Sequence, residues 1–423
     1  MKTQKEENNR MIEVSPSADR EKYILFSVSS GDEEKAEASI AELEELLETA
    51  GGEAIAYMVQ NIDKPDRNTY LGKGKALELK EMVEFLEADG VICDDELSPS
   101  QHRNLADILE TKVVDRTMLI LDIFAHRATT AEGKIQVELA QLKYRATRLT
   151  GKGTALSRLG GGIGTRGPGE TKLEVDRRAI QRRVDKLTQD IKSLKLVREV
   201  ARKRRLESSN PIVAIVGYTN AGKSTLLNRL TSADILAEDK LFATLDPTTR
   251  VWRMSDGQEV LLTDTVGFIN KLPHHLIDAF KSTLEEAKYA DVILHVVDAV
   301  SEDAELHRKV VYDTLEDLGI KDKPIITAFN KMDLLDKSED DIFYRDENAN
   351  KVVLISARTG EGVQEISSAI SDILKEGRVY IEELISYTEK QRLSRIRKYG
   401  QIISEEYQED GVLVKAYVPK GLA

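Results

Sequence analysis

The segment that decides the fold is Gly217-Tyr-Thr-Asn-Ala-Gly-Lys-Ser224. It follows an apolar run rich in β-branched residues, Pro211 to Gly217, and precedes a helical pattern that begins at Gly222. The sequence therefore predicts a strand, a glycine loop and a helix in succession. In that setting backbone N–H groups can surround phosphate oxygens beside the positive end of the helix, Lys223 can reach the β and γ phosphates, and the Ser224 hydroxyl can bind Mg²⁺. The alternative is an ordinary glycine turn.

A second strand pattern, Leu261 to Asp264, ends in a carboxylate and is soon followed by Gly267. This arrangement predicts that the Asp264 carboxylate lies near the metal ion and that the Gly267 N–H lies near the γ-phosphate. It weakens the glycine-turn alternative, because a plain turn would not need a carboxylate and a glycine at the next strand end.

Two further strand ends are expected to select the base. Asn330-Lys-Met-Asp333 follows the apolar run Pro324 to Phe329, and Ser356-Ala-Arg358 ends the run Val352 to Ile355. A carboxylate at Asp333 can accept hydrogen bonds from the ring N1–H and the exocyclic amine of guanine, and a backbone N–H at the second segment can meet the guanine O6. Such a site rejects adenine because its own polar group would be left unpaired. Together the four motifs predict GTP binding and hydrolysis.

The segment from Phe242 to Arg250 lies between the glycine loop and Asp264, where a loop that senses the γ-phosphate is expected. Thr244 is assigned as the second Mg²⁺ ligand, with Thr248 and Thr249 as competing candidates. A hydroxyl that binds the metal only with the γ-phosphate present would order this loop with GTP and release it after hydrolysis. The only tryptophan, Trp252, is predicted to be a core aromatic.

The predicted catalytic residues are Lys223, Thr244 and Gly267, and the predicted Mg²⁺ ligands are Ser224 and Thr244. The predicted nucleotide-binding residues come from the five segments just described: Gly217, Tyr218, Thr219, Asn220, Ala221, Gly222, Lys223, Ser224, Phe242, Ala243, Thr244, Leu245, Asp246, Asp264, Thr265, Val266, Gly267, Asn330, Lys331, Met332, Asp333, Ser356, Ala357 and Arg358.

These motifs resemble the translation-factor-related GTPases. Phe268 stands where Ras-like proteins carry a glutamine that orients the attacking water. The resemblance therefore implies a slow intrinsic rate, which a partner can raise by roughly 10³ to 10⁵. Asn220 is similar to an asparagine that helps to hold K⁺ in several cation-dependent GTPases. K⁺ dependence is accordingly a hypothesis, which equal hydrolysis rates in Na⁺ and K⁺ would refute.

Upstream segments resemble the signatures of the HflX family. They are Tyr70 to Lys75, Asp94 to Gln101, Asp115 to Ala125, Gln136 to Lys143 and Gly160 to Lys172. The resemblance covers nearly the whole chain and implies a monomeric, cytoplasmic GTPase that uses Mg²⁺. It also implies that the protein binds the large ribosomal subunit and its RNA, is stimulated by the ribosome and separates stalled or stressed ribosomes. Loose association with a membrane surface is left open.

The length of 423 residues predicts two to four domains. The single cysteine, Cys93, excludes an internal disulfide, and no stretch approaches the ~20 apolar residues of a membrane span. Residues Met1 to Asp19 are polar and lack the apolar core of a secretory signal. These features predict a soluble cytosolic protein.

The net charge of −13 is distributed unevenly. Residues 143 to 205 hold 19 Lys and Arg against 6 Asp and Glu, a local charge of +13, so the rest of the chain carries −26. One basic element on an acidic body predicts a single face directed at nucleic acid. The alternative is a solvated, highly charged helix.

Two helical seams frame this basic element. They consist of Ile135, Leu139, Leu142, Ala146 and Leu149, and of Ile180, Val184, Leu187, Ile191 and Leu194. The spacing predicts an antiparallel hairpin whose second helix runs from about Leu173 to Arg205. Between the helices, Thr150 to Lys172 is glycine-rich and is interpreted as an RNA-probing tip, with contacts from Arg158, Arg166 and Lys172. The resemblance to the HflX family implies that this contact lies near the ribosome's catalytic centre. The alternative is a flexible linker.

The first 130 residues alternate strand and helix patterns, which favours a parallel α/β sheet. Gly72 to Lys75 could bind a phosphate, although a solvated helix start is the better interpretation. Asp94, Asp95 and Glu96 form an acidic turn before Ser98, a predicted N-cap, and a metal site there is not expected. Past Gly377 the patterns predict a helix over Glu382 to Lys398 and a hairpin formed by Ile402 to Glu406 and Val412 to Val418.

The predicted fold is a P-loop GTPase domain with a mostly parallel sheet between helices. An N-terminal α/β domain with a long antiparallel helical hairpin precedes it, and a small C-terminal α+β unit follows. The predicted domains span residues 1–130, 131–206, 207–376 and 377–423. Two functions remain open at this stage. The chain is a ribosome-binding GTPase that splits or rescues ribosomes, or a GTP-regulated RNA-binding regulator or tRNA-modification assistant that does not act on the ribosome.

Overall fold

The computed structural model describes residues 20–149, 168–206, 210–231, 241–242, 248–271, 286–335, 344–376 and 378–419. These residues fall into two compact units, Met1–Leu119 and Ile120–Ala423. The first contains a four-stranded sheet, and the second contains a six-stranded sheet and a three-stranded sheet.

The first unit is a parallel α/β sheet, as predicted. Its elements are β1 (Lys22–Ser29), α1 (Glu33–Ala50), β2 (Glu53–Asn61), α2 (Lys73–Leu86), β3 (Gly90–Cys93), α3 (Pro99–Leu109) and β4 (Lys112–Asp115). The strand order is β2-β1-β3-β4, and every pairing is parallel. The predicted cap is confirmed, since Ser98 accepts from the Gln101 N–H while the Gln101 side chain accepts from the Ser98 N–H. The helix α4 (Arg116–Arg127) follows β4 directly.

The acidic turn after β3 has a structural role. Asp94 is fully buried and accepts hydrogen bonds from the Arg116 Nη1 at 2.6 Å and the Ser39 hydroxyl at 2.7 Å. Arg116 also pairs with Glu42. Removing one partner of such a buried pair costs about 3–5 kcal/mol, because the other charge stays buried and uncompensated. Among the residues that the structure describes, no group of His, Cys, Asp and Glu is arranged to hold a metal ion.

The helices α5 (Ala131–Leu149) and α6 (Pro168–Leu206) pack against each other as a hairpin. The five residues of the predicted α6 seam are all partly or fully buried, while the residues around them are mostly exposed. Arg183 of α6 bonds Glu138 of α5 through two contacts of 2.7 Å. At 1.5 Å per residue, the 39 residues of α6 span about 58 Å.

The predicted boundary of α6 was wrong at its start. The helix begins at Pro168 rather than near Leu173, so Lys172 belongs to the helix and not to the preceding loop. Proline suits a first helical turn because its missing N–H would have had no intrahelical partner and its φ is already helical. The glycines at 167 and 169 obscured this start in the sequence.

The six-stranded sheet forms the centre of the second unit. Its elements are β5 (Ile212–Gly217), α7 (Lys223–Thr231), β6 (Thr248–Arg253), β7 (Glu259–Asp264), β8 (Val292–Asp298), α8 (Ala304–Asp317), β9 (Ile325–Asn330), β10 (Lys351–Leu354) and α9 (Val363–Glu376). The order is β10-β9-β8-β5-β7-β6, and only β6 runs antiparallel to its neighbour. Trp252 on β6 is buried in the core with Met254, which confirms its predicted role.

The C-terminal sheet corrects one prediction. Its strands are β11 (Arg378–Ser386), β12 (Gln401–Gln408) and β13 (Gly411–Pro419), in the antiparallel order β11-β13-β12. The helix α10 (Lys390–Tyr399) connects β11 to β12. The helix predicted from Glu382 begins only at Lys390, because Glu382 to Ser386 pair with β13. Ile381 and Ile385, four residues apart, fit a helical face as well as a strand, and the long-range pairing with β13 decides between them.

A turn of the central sheet contacts this C-terminal sheet. Asp256, between β6 and β7, accepts hydrogen bonds from the Ser371 hydroxyl at 2.8 Å and the Gln401 amide at 3.1 Å. Across the described ranges, no helix is both long enough and apolar enough to cross a membrane.

Candidate functional site

The predicted motifs meet at the carboxyl edge of the central sheet. The glycine loop follows β5, Asp264 ends β7, Asn330 ends β9, and Ser356 comes just after β10. Parallel strands present their carboxyl ends at the same edge, where open α/β sheets bind ligands. The strand order therefore brings four segments that are far apart in sequence into one pocket.

Asn330 joins the glycine loop to the segment predicted to bind the base. Its side chain is buried, donates to the Ala221 carbonyl at 2.8 Å and accepts from the Ala357 N–H at 2.8 Å. Gly222, at φ +93°, allows this approach, since a Cβ there would lie 2.2 Å from the Asn330 Nδ2. Asn330 thus holds two parts of the pocket together.

Lys223 is buried at the base of the loop, and its Nζ donates to the Tyr218 carbonyl at 2.6 Å. Burial lowers the pKa of Lys223 to about 8, against the opposing effect of the Asp264 carboxylate. A buried ammonium with few partners is a strong attractor of phosphate, because a bound anion would offset its lost hydration.

Ser224 and Asp264 lie together, as predicted for two groups near a divalent cation. The Ser224 hydroxyl donates to the Asp264 carboxylate at 2.8 Å, and Asp264 is fully buried. A hydroxyl beside a carboxylate is a hard-oxygen donor set that suits Mg²⁺. When bound there, Mg²⁺ would neutralise negative charge on the β and γ phosphates.

Gly267 lies against the glycine loop. A Cβ on it would approach the Thr219 Cγ2 at 2.9 Å and the Lys223 Nζ at 3.0 Å, so only glycine fits without displacement. The Thr265 hydroxyl anchors the preceding turn on the Ile215 carbonyl at 2.7 Å. Phe268 is buried in the interior and presents no polar group to a phosphate.

The segment predicted to bind the base is held by its own polar contacts. Asp333 lies in a short 3₁₀ helix (Met332–Leu334), and its carboxylate accepts from the Ser356 hydroxyl at 2.7 Å. Lys331, with φ of 69°, pairs with Asp298 at 2.7 Å. These contacts fix the direction of the Asp333 carboxylate.

The segment between α7 and β6 is described only at Leu241 and Phe242, and both are buried. The Phe242 ring packs edge-on against Phe124 of α4, with centroids 4.6 Å apart. Of the competing Mg²⁺ candidates, Thr249 shares a hydrogen bond with Thr263 across the strands at 3.0 Å.

Several predicted residues lie outside the described residues or have undescribed side chains. Ala243, Thr244, Leu245, Asp246, Arg158 and Arg166 lie outside, and only the backbone of Lys172 is described. Their roles stay predictions.

Two contributors were missed from the sequence. Arg229 of α7 donates from its Nε to the Ala357 carbonyl at 3.2 Å and so supports the base segment. His307 of α8 stacks on the Tyr218 ring, with centroids 3.7 Å apart and planes inclined by 14°. Neither residue belongs to a motif, and each reaches the pocket from a helix face that only the fold defines.

We predict that Gly222→Ala lowers nucleotide affinity by more than tenfold, or about 1.4 kcal/mol, because the added methyl group collides with Asn330. The matched control is Gly257→Ala. Gly257 also has a positive φ, +85°, but has nothing within 4 Å of its Cβ position. Both variants carry the backbone strain of a left-handed residue, but Gly257→Ala, in the turn between β6 and β7, adds no collision. Titration with a fluorescent guanine nucleotide measures both, and equal affinities would contradict the role given to the Gly222–Asn330 contact.

Family models and a solved structure are similar to this chain. The chain matches three family models, described as GTP-binding GTPase N-terminal over residues 37–125, GTP-binding GTPase Middle Region over 127–205, and 50S ribosome-binding GTPase over 212–331. A solved GTP-binding protein from Sulfolobus solfataricus in complex with GDP is 25% identical, with a TM-score of 0.43. The match covers 84% of this chain and 99% of the solved protein.

Curated relatives extend over nearly the whole length. GTPase HflX of Lacrimispora saccharolytica is 58% identical over 402 residues, which are 95% of this chain and 94% of the relative. GTPase HflX of Escherichia coli K12 is 43% identical over 373 residues, which are 88% of this chain and 87% of the relative. With this identity over its full architecture and a P-loop pocket of the expected geometry, the chain belongs to the HflX family of GTPases and hydrolyses GTP.

Proposed function

We propose that this GTPase acts in the cytoplasm, binds the large ribosomal subunit through its basic hairpin while GTP is bound, and separates stalled or stressed ribosomes. Family membership and the name of the matched family model, 50S ribosome-binding GTPase, support the choice of partner. Ribosomal RNA would also be the stimulating partner that a site with Phe268 in place of a water-orienting residue requires.

The charge of the hairpin supports contact with RNA. Arg177, Arg178 and Arg182 of α6 are exposed, whereas the apolar seam of the same helix is withdrawn from solvent. The basic side chains therefore face outward along a long rod, and a rod of that kind can follow phosphate over a distance of several nucleotides. The acidic remainder of the chain would be repelled from RNA and would leave the hairpin as the contact.

The observation that carries the proposal is the packing of Phe242 against Phe124. Phe242 begins the segment predicted to sense the γ-phosphate, and Phe124 lies on α4. Only three residues separate the end of α4 at Arg127 from the start of α5 at Ala131. Both rings are buried. A change in that segment on GTP binding would therefore reach the base of the hairpin through packed side chains.

We predict that Arg158→Ala with Arg166→Ala weakens binding to the large subunit and makes it less dependent on salt. The log–log slope should fall by about 0.7 to 0.9 for each phosphate that the hairpin no longer neutralises. Sedimentation of purified subunits with a GTP analogue or GDP, over a range of KCl concentrations, measures the effect. The charge-matched control is Arg67→Ala with Arg395→Ala, two exposed arginines outside the hairpin.

If Arg158→Ala with Arg166→Ala leaves binding to the large subunit unchanged, the loop from Thr150 to Lys172 does not contact the subunit as proposed. Binding of the wild type to free RNA without nucleotide-dependent comigration with the large subunit would favour the alternative function, a GTP-regulated RNA-binding regulator or tRNA-modification assistant.

We predict that Asp333→Asn lowers GTP affinity about a hundredfold or more, because the amide presents an N–H donor to the guanine amine. The same amide can donate to the C2 carbonyl of xanthine, so affinity for XTP should rise. Calorimetry with GTP, XTP and ATP tests this. A variant that still prefers GTP would contradict the role of Asp333 in base selection.

We also propose that K⁺ assists hydrolysis at Asn220. This residue has a φ of 59°, a left-handed conformation that asparagine tolerates better than most residues, within the loop that faces the phosphates. GTP hydrolysis should be faster in KCl than in NaCl of equal ionic strength, and Asn220→Ala should remove the difference. Equal rates for the wild type in the two salts would refute the proposal.

A further inference from the structure

The backbone that follows Gly267 is fastened to the glycine loop at three points. The Phe268 N–H donates to the Gly217 carbonyl at 3.1 Å, and the Thr219 N–H donates to the Phe268 carbonyl at 2.8 Å. The third bond runs from the Asn270 N–H to the Tyr218 hydroxyl oxygen at 2.6 Å. The first two join backbone to backbone, whereas the third depends on one side chain.

The Tyr218 side chain is held rigidly for this contact. The residue is buried, and its ring lies flat on the His307 imidazole of α8. Burial lowers the pKa of His307 and so favours the uncharged imidazole, against the opposing effect of Asp303 and Asp298. The Ser301 hydroxyl lies 3.5 Å from the His307 Nδ1. The hydroxyl of Tyr218 is therefore presented to Asn270 by a fixed aromatic pair.

The position of Gly267 depends on these bonds. Glycine has no side chain that could anchor it, so the direction of its N–H is set by the residues on either side. On one side the Thr265 hydroxyl is anchored to β5 at 2.7 Å. On the other side the Phe268 backbone is paired with the glycine loop, and Asn270 is anchored to Tyr218. The tight spacing of Gly267 from Thr219 and Lys223 leaves little tolerance for displacement.

We propose that Tyr218 is a positioning residue for GTP hydrolysis, whose hydroxyl holds the Phe268–Asn270 backbone closed on the glycine loop and thereby aims the Gly267 N–H at the γ-phosphate. The hydroxyl acts through the backbone and does not touch the reacting atoms. The Tyr218 hydroxyl should affect the rate of hydrolysis and not nucleotide affinity. GDP and GTP are bound by the N–H groups of the glycine loop and by the predicted contacts to the base, and neither set includes this hydroxyl.

The test is Tyr218→Phe in the full chain, which removes the hydroxyl and keeps the ring on His307. Single-turnover GTP hydrolysis should slow about tenfold, which corresponds to about 1.4 kcal/mol of barrier. The dissociation constants for GDP and a non-hydrolysable GTP analogue should stay within about twofold of the wild type. Hydrogen exchange should show faster exchange of the Asn270 amide, with the glycine loop still protected.

Two further variants separate positioning from general loosening of the fold. Tyr312→Phe also removes a tyrosine hydroxyl from the α8 side of the sheet, one that donates to Asp346 at 2.8 Å, and should leave the hydrolysis rate unchanged. His307→Phe keeps an aromatic ring against Tyr218 and should retain most of the rate, whereas His307→Ala should slow hydrolysis because the Tyr218 ring loses its support.

Three results would overturn the proposal. The first is an unchanged rate for Tyr218→Phe. The second is a decrease in GDP affinity that matches the decrease in rate, which would mean that Tyr218 maintains the glycine loop itself. The third is an equal slowing of Tyr312→Phe, which would mean that any buried hydroxyl on this side of the sheet matters to the same extent.

Discussion

The nucleotide pocket depends on one buried amide, the side chain of Asn330. Its Nδ2 donates to the glycine loop at Ala221 and its Oδ1 accepts from the base segment at Ala357, both at 2.8 Å. A buried amide satisfied on both sides fixes the distance between the groups that it joins, because losing either bond would leave a polar atom unpaired. The glycine loop and the segment predicted to bind the base are thereby held together.

Around this amide, further polar contacts order the pocket. Asp333 is fixed by Ser356, Lys331 is fixed by Asp298, and Ser224 already contacts Asp264. Preorganised polar groups need little rearrangement when charge develops in a transition state, and hydrolysis depends on that property. Lys223, which is buried with a lowered pKa, is the group that gains most when phosphate replaces the Tyr218 carbonyl as its partner.

The predicted nucleotide sensor and the hairpin are connected through packed side chains. Phe242 and Phe124 bury their rings on each other, and α4 leads into α5. Packed aromatic contacts transmit displacement because a dense interior has discrete arrangements and does not deform gradually. The charge distribution favours one orientation toward RNA, because phosphate attracts the basic hairpin and repels the acidic remainder of the chain.

The sequence by itself determined the nature of the pocket and the class of fold. The spacing from Gly217 to Ser224, the carboxylate at Asp264 and the Asn330–Asp333 segment were recognisable because phosphate and guanine impose local constraints that short segments satisfy. The parallel N-terminal sheet and the buried seam of α6 were predicted because hydrophobic periodicity is also local.

Only the tertiary structure decided the contacts between distant segments. The strand over Glu382 to Ser386 was mistaken for helix because its pairing with β13 lies some thirty residues away along the chain. The bond from Asn330 to Ala221, the support of Ala357 by Arg229 and the stacking of His307 on Tyr218 likewise join residues about 90 to 130 positions apart. No local pattern encodes such pairs, because a side chain's partner is set by the order of strands and the helix face turned toward them.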